Sequence, residues 1–264
     1  MSKNFHHTAI VSPDAQIAND VVIGPYSIIG DNVKIDSGTI LKSHIVIDGN
    51  VTIGRNNIIY PFVTIGLEPQ DLKFSGEESQ IIIGDNNKIR ENVTIHLGTK
   101  DGGMITSIGN NCLFMVGSHI AHDCRVANNV ILANNATLAG HVVVEDDVIV
   151  GGLSAIRQFV RIGKGAMIGG MSGVESDVIP YGIVFGERAS LNGLNLIGLK
   201  RKNIARQQIF DAKEFFDNIF SEENGNFIDK INKYSTQSNN EIINEIANFI
   251  KSQDNNRSFC HPKK

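Results

Sequence analysis

IGNNCLFMVGSHIAHDCRVANNVILANNATLAGHVVVEDDVIVGGLSAIRQFVRIGKGAMIGGMSGVESDV, residues 108–178, decides the fold. Every sixth residue from Ile108 is apolar: Phe114, Ile120, Val126, Leu132, Leu138, Val144, Val150, Ile156, Ile162, Ile168 and Val174. In a chain that is 41% hydrophobic, twelve successive hits in one register arise by chance about twice in 100,000 trials, so the beat belongs to the fold. The fourth residue after each is small or β-branched: Cys112, Ser118, Cys124, Val130, Ala136, Val142, Val148, Ser154. Period six fits neither a helix nor an ordinary amphipathic strand. It is the hexapeptide signature of a parallel β-helix.

Upstream, the same beat runs through Val11, Ile17, Ile23, Ile29, Ile35, Leu41, Ile47, Ile53, Ile59 and Ile65. Turn formers such as GDN at 30–32 and DGN at 48–50 fall between these positions and make tight corners. A short strand cannot bury its inward side chain alone; stacked coils about 4.8 Å apart line such side chains into one apolar core. The register breaks over residues 67–80, resumes at Ile83, Ile89 and Ile95, and breaks again over residues 97–107 (LGTKDGGMITS). Such interruptions predict loops projecting from one corner, where repeat proteins often carry their binding face.

After IPYG at 179–182 the period turns helical, with Ala205, Ile209, Ala212, Phe216 and Ile219 at three- and four-residue spacing. Two shorter amphipathic segments follow near 227–234 and 242–250. The expected division is a β-helix over residues 1–186, with loops at 67–80 and 97–107, and a small helical domain over 187–264 whose last ten residues or so fray.

The totals narrow the class. A net charge of −4 over 264 residues gives no basic excess for nucleic acid. No run of apolar residues is long enough to span a membrane, and MSKNFHHTAIV does not read as a signal peptide. Cys112, Cys124 and Cys260 form no CxxC pair, which suits a thiol-reducing compartment, and a cytoplasmic location is expected. Lys200, Arg201, Lys202 and Arg206 cluster where the helical part begins. They form either a solvated face or a dock for an acidic partner.

The densest group of reactive side chains is GSHIAHDC, residues 117–124. His119 and His122 are three apart and Asp123 follows directly. Imidazole exchanges protons near neutral pH and suits a general base; a neighbouring carboxylate fixes its tautomer if the turn lets the two meet. Zinc ligation and a structural role stand beside that reading with equal weight, because one H-x-x-H is a weak motif. His96 and His141 occur at similar places in other hexads. Gly140 allows a ligand close to the backbone, so its amide is a candidate oxyanion donor. Cys112 and Cys124 fall on inward positions and read as core, leaving no covalent nucleophile.

GSHIAHDC, ILANNATLAGHV, GLNLIGLKRK, QDLKFSGE and the REN and VTIH segments before the second loop closely resemble the UDP-N-acetylglucosamine O-acyltransferases of lipid A biosynthesis. The resemblance covers nearly the whole chain. It implies a left-handed parallel β-helix with a helical C-terminal domain, an exception to right-handed crossovers. It further implies a homotrimer with active sites between subunits and transfer of an (R)-3-hydroxyacyl chain from acyl carrier protein to the 3-hydroxyl of UDP-N-acetylglucosamine. No metal or resident cofactor takes part, the acyl group arriving on the carrier's phosphopantetheine. On this resemblance His122 is the general base, Asp123 its orienting carboxylate and Gly140 the oxyanion donor. Asp71, Lys73, His96, His119, His141 and Gln158 match substrate-contacting positions. Asn195, Arg201 and Lys202 match nucleotide-binding ones, and the basic cluster gains the acidic carrier as partner. Gly170 matches the position that limits acyl length; its lack of a side chain predicts chains of about fourteen carbons or more.

Two departures bear on nucleotide recognition: Arg157 stands where the family commonly has histidine, and Ile197 where some members have glutamate, with Lys202 in place of a second arginine. A guanidinium is no base but binds phosphate. Three rivals remain. The N-acyltransferase of the same pathway needs an N-terminal uridine-binding domain ahead of its repeats. A zinc hydratase on this fold needs three histidines around the metal. A binding solenoid would leave His122 dispensable.

Overall fold

The computed structural model describes residues 4–221, 226–236, 238–252 and 258–263. Short strands, parallel except for the last, stack into three sheets of eleven, nine and eight strands, the three faces of a left-handed triangular prism. One turn of the prism takes 18 residues, three hexads: on the first face Leu113 pairs with Ile131, Ile131 with Ile149 and Ile149 with Met167. Each two-residue strand turns its second side chain inward. The beat therefore becomes three internal columns. Ile59, Ile89, Phe114 and Leu132 stand on the first face, Ile65, Ile95, Ile120 and Leu138 on the second, and Ile83, Ile108, Val126 and Val144 on the third. All are at most 3% exposed. Each such burial stabilises the fold by about 2 kcal/mol.

The beat begins one hexad before Val11, because the strand Asn4–Phe5 already pairs with Val22–Ile23 and Phe5 holds the same register. Corners turn through left-handed backbone, often at asparagine (Asn86, Asn111, Asn129, Asn135), the residue that tolerates it best after glycine. The two interruptions are insertions into otherwise complete coils. Asn50 pairs with Gln80, thirty residues on and twelve more than a plain turn, and Gln80 with Ile105, twenty-five on and seven more.

Residues 182–194, mostly assigned above to the helical part, form an antiparallel hairpin of Gly182–Phe185 and Ser190–Leu194 that closes the prism. Helices α1 (Leu196–Arg201), α2 (Arg206–Ile219), α3 (Phe227–Ser235) and α4 (Glu241–Lys251) follow. The last residues depart from the fraying expected of them. Phe259 bridges Asp177, Cys260 N donates to Asp177 O, Leu191 N donates to His261 O, and both Phe259 and Cys260 are buried. Residues 254–257 and 264 lie outside the described residues. Helix and prism are latched by Arg161, which donates to Asp177 Oδ2 at 2.8 Å and to Phe249 O, and by Lys164 and Tyr181, which both reach Glu245.

Candidate active site

His119 lies on the outer surface of the second face, one residue before inward Ile120. The chain then turns the edge between the second and third faces through Ala121, His122 and Asp123. Asp123 adopts the left-handed conformation (φ 59°), and in this turn the neighbouring side chains do meet: His122 Nδ1 is 2.9 Å from Asp123 Oδ2. With Nδ1 facing a carboxylate, Nε2 is left as the basic nitrogen. Both side chains are buried.

The next coil supplies the same edge 18 residues on, with Gly140 above His122 and His141 above Asp123. A Cβ on Gly140 would lie 2.4 Å from His122 Cε1 and 2.5 Å from Nε2, so only glycine lets the imidazole rest on this backbone. Among the described residues nothing accepts a hydrogen bond from the Gly140 N–H, so a donor stands beside the basic nitrogen. His141 crosses His122 edge-on at 4.9 Å, and Phe159, one further coil on, stacks flat on His141 at 4.3 Å. Phe159 escaped the sequence reading; its number, 18 above His141, is the signal that finds it. On the coil before, Thr94 Oγ1 lies 2.6 Å from His119 Nδ1, and the His96 ring meets His119 edge-on at 4.9 Å.

The electrostatics favour neutral imidazoles around an anion. Burial, and then the positive charges His119 and His122 would add, hold His96 down at about 4. Burial and the nearby His122 lower His119 too. Burial also lowers His141, against the opposing pull of Asp123. For Asp123, burial pushes the carboxyl up, but hydrogen bonds from His122 and Thr99 outweigh it and hold the group below the usual carboxylate range. Burial raises the thiols of Cys112 to about 11 and Cys124 to about 12, so neither is a nucleophile near neutral pH.

His122, Asp123 and His141 also form the one group among the described residues that offers three metal-ligating atoms, all within 4.8 Å of one another. Their fit to a cation is poor. Asp123 Oδ2 already accepts His122 Nδ1, Thr99 Oγ1 and Thr99 N, and Oδ1 accepts Thr99 N as well. A metal would have to displace those donors.

The other predicted positions do not all converge on this edge. Asp71 and Lys73 stand in the first loop; Lys73 Nζ reaches Asp101 of the second at 3.3 Å, and Lys100 N donates to Glu77 Oε1. The charges of Asp71 and Asp101 are felt at His141. Gln158 and Arg157 are exposed on the same edge as His122, two coils on, beside a recess of about 310 Å³ that Glu175, Ser176 and Ser258 also line. Gly170 lies on the edge between the first and second faces, between the strands Met167–Ile168 and Gly173–Val174. Asn195 caps α1, accepting from Gly198 N, and donates to Gly165 O; Lys202 pairs with Asp147. Gly165 and Asp147 belong to the third edge, between the third and first faces. Arg201 is exposed at the end of α1. The predicted site residues therefore lie on two edges of one prism and, through Asn195 and Lys202, touch the third.

Residues 177–260 match the family described as UDP N-acetylglucosamine O-acyltransferase, domain 2, and residues 105–140 match the bacterial transferase hexapeptide repeat. The acyl-(acyl-carrier-protein)–UDP-N-acetylglucosamine O-acyltransferase of Rickettsia prowazekii is 50% identical over 264 residues, covering 100% of this chain and 99% of its own length. The protein of the same name from Aliarcobacter butzleri is 47% identical over 94% of this chain and 95% of its own. The solved structure of LpxA from Acinetobacter baumannii superposes with a TM-score of 0.94 at 39% identity, over 98% of this chain and 100% of that one.

Proposed function

The chain belongs to the acyl-carrier-protein-dependent UDP-N-acetylglucosamine O-acyltransferases of lipid A biosynthesis, and we propose that it transfers an (R)-3-hydroxyacyl chain to the 3-hydroxyl of UDP-N-acetylglucosamine with His122 as general base. His122 Nε2 takes the hydroxyl proton as the oxygen attacks the thioester carbonyl. The Gly140 N–H stabilises the negative charge that develops on the acyl oxygen. Asp123 keeps the proton on Nδ1 and balances the imidazolium that forms. Collapse of the intermediate expels the carrier's phosphopantetheine sulfur, which receives the proton from His122. The step passes through no acyl-enzyme and needs no metal or resident cofactor. The observation that carries this reading is the packing of His122 between the Asp123 carboxylate and the backbone of Gly140.

His96, His119 and His141 border this dyad and, with Gln158 and with Asp71 and Lys73 of the first loop, hold the acceptor. Asn195, Arg201 and Lys202 hold the nucleotide, and Gly170 leaves room for a long acyl chain. The distribution of these residues over two edges and against the third supports a homotrimer whose sites lie between subunits, each using different edges of two neighbours. An apolar recess of about 690 Å³ between α1 and α2, floored by Leu196, Ile204, Ile209 and Phe210 and rimmed by Lys200, Arg206 and Lys213, suits an acidic carrier. Among the described residues no helix is long and apolar enough to cross a membrane.

The test is acyl transfer from 3-hydroxymyristoyl carrier protein to UDP-N-acetylglucosamine in chelating buffer, comparing wild type with His122→Ala. Activity surviving chelation and falling at least about a hundredfold in the variant is expected, within the range of general-base catalysis. Activity abolished by chelation would move the site to metal chemistry. An active His122→Ala would leave the base elsewhere.

A further inference from the structure

Asp123 is also held by the second loop, the seven-residue insertion into an otherwise plain coil. Thr99 Oγ1 donates to Asp123 Oδ2 at 2.6 Å, and Thr99 N straddles both carboxylate oxygens at 2.9 and 3.0 Å. The Asp123 N–H in turn donates to Thr106 Oγ1 of the same loop at 2.8 Å. Thr99 and Thr106 are both buried. Two glycines let the loop close this far: a Cβ on Gly102 would sit 1.9 Å from Asp123 Cγ, and one on Gly98 2.9 Å from Asp123 Oδ1.

We infer that Thr99 is a positioning residue for the transfer reaction, its hydroxyl and amide fixing the Asp123 carboxylate in the one orientation that holds His122 for proton abstraction. This rests on the reading of His122 as the base. Oδ2 is the oxygen shared by the Thr99 hydroxyl and the His122 imidazole, so the hydroxyl sets the plane in which the imidazole binds. The straddling amide denies the carboxylate free rotation about its Cβ–Cγ bond. An aspartate in a corner turn, anchored by its neighbour alone, would sweep that arc and carry the imidazole with it. A displacement of about 1 Å at the reacting group can cost a hundredfold in rate. The insertion therefore has a function beyond decoration: it carries a clamp that a plain hexapeptide corner lacks.

The discriminating set is Thr99→Val, which keeps the shape and loses the hydroxyl, Thr99→Ser, which keeps the hydroxyl, and Gly102→Ala, which pushes on Asp123 with the hydroxyl intact. Steady-state kinetics are read beside the imidazole ¹⁵N shifts of His122, which report which nitrogen holds the proton. For Thr99→Val, kcat falls about 10- to 100-fold, KM for the nucleotide sugar stays within about twofold, and the shifts move from one tautomer towards a mixture. Thr99→Ser restores kcat, and Gly102→Ala reproduces the loss whether or not the valine variant folds. Equal losses in the serine and valine variants, or a wild-type Gly102→Ala, would overturn the assignment. His122→Ala separates the two ideas: an inactive alanine variant beside an unimpaired Thr99→Val removes the clamp and keeps the base.

Discussion

At the scale of single residues, the site depends on what is missing at Gly140 as much as on what is present at His122. The backbone of Gly140 is the surface on which the imidazole lies, and any side chain there must push the ring away from its place beside Asp123. Gly140→Ala is therefore expected to cost about a hundredfold in kcat, the scale of misplacing a reacting group by about 1 Å, while far-UV circular dichroism stays that of wild type. Activity within threefold of wild type would mean that the ring and the backbone need not touch. The neighbouring His96 makes a second prediction, in stability. Its imidazole is held neutral down to about 4, with Nδ1 lacking a hydrogen-bond partner among the described residues. An unfolded histidine gains its proton near pH 6.5, so between these values the unfolded state binds the extra proton. Stability is full above about pH 6.5 and is lost as pH falls towards 4. His119 and His141 add contributions of the same sign. Melting temperature should drop across that window, and His96→Asn should flatten the slope. Parallel slopes in the two proteins would assign the acid sensitivity to other groups.

At the scale of elements, what was legible in the sequence was whatever repeats. The six-residue beat located the strands because each inward position must be apolar in every coil, and α2, α3 and α4 showed through their three- and four-residue spacing. The hairpin of residues 182–194 was hidden, since one antiparallel pair has no period to reveal it. Helix α1 has six residues and one buried side chain, Leu199. The clamp on Asp123 was equally invisible: Thr99 lies 24 residues away and meets it only because an insertion folds back along the same edge. The beat also carries departures that sequence alone leaves mute. Asn57 and Asn87 sit at inward positions where small or β-branched residues are the rule, yet both are fully buried. Asn87 accepts from Cys112 N at 2.8 Å and donates to Gly109 O at 3.0 Å, and its own N–H donates to Asn57 Oδ1 at 2.9 Å. This internal amide ladder crosses the two insertions, where coil lengths change. Removing the side chain in Asn87→Ala leaves a buried donor and a buried acceptor unpaired, a cost of about 2–3 kcal/mol. Thermal unfolding should shift down by about 4–12 °C. An unchanged midpoint would mean that water replaces the amide.

At the scale of the whole molecule, the distribution of the site over separate edges becomes a prediction about assembly. One prism cannot fold its edge carrying His122, Asp123 and His141 onto the edge that Asn195 and Lys202 touch, because the stacked sheets between them are rigid walls of the same core. A closed ring of three copies resolves this if each site takes its base from one subunit and its nucleotide contacts from the next. Two variants, each defective on its own, then become complementary. On the proposed mechanism His122→Ala lacks the base and Arg201→Glu lacks the nucleotide contact, so each is expected to be inactive as a pure assembly. Unfolded together in equal amounts and refolded, they form mixed rings. A site is intact only where a chain with His122 meets a neighbour with Arg201, which random mixing provides at about one site in four. Recovery near a quarter of wild-type kcat, with the nucleotide KM of wild type, is the expected outcome. Were both residues used from the same chain, every site in every mixture would carry one defect, and mixing would restore nothing. The same experiment thus decides whether the two residues of one site come from one chain or from two.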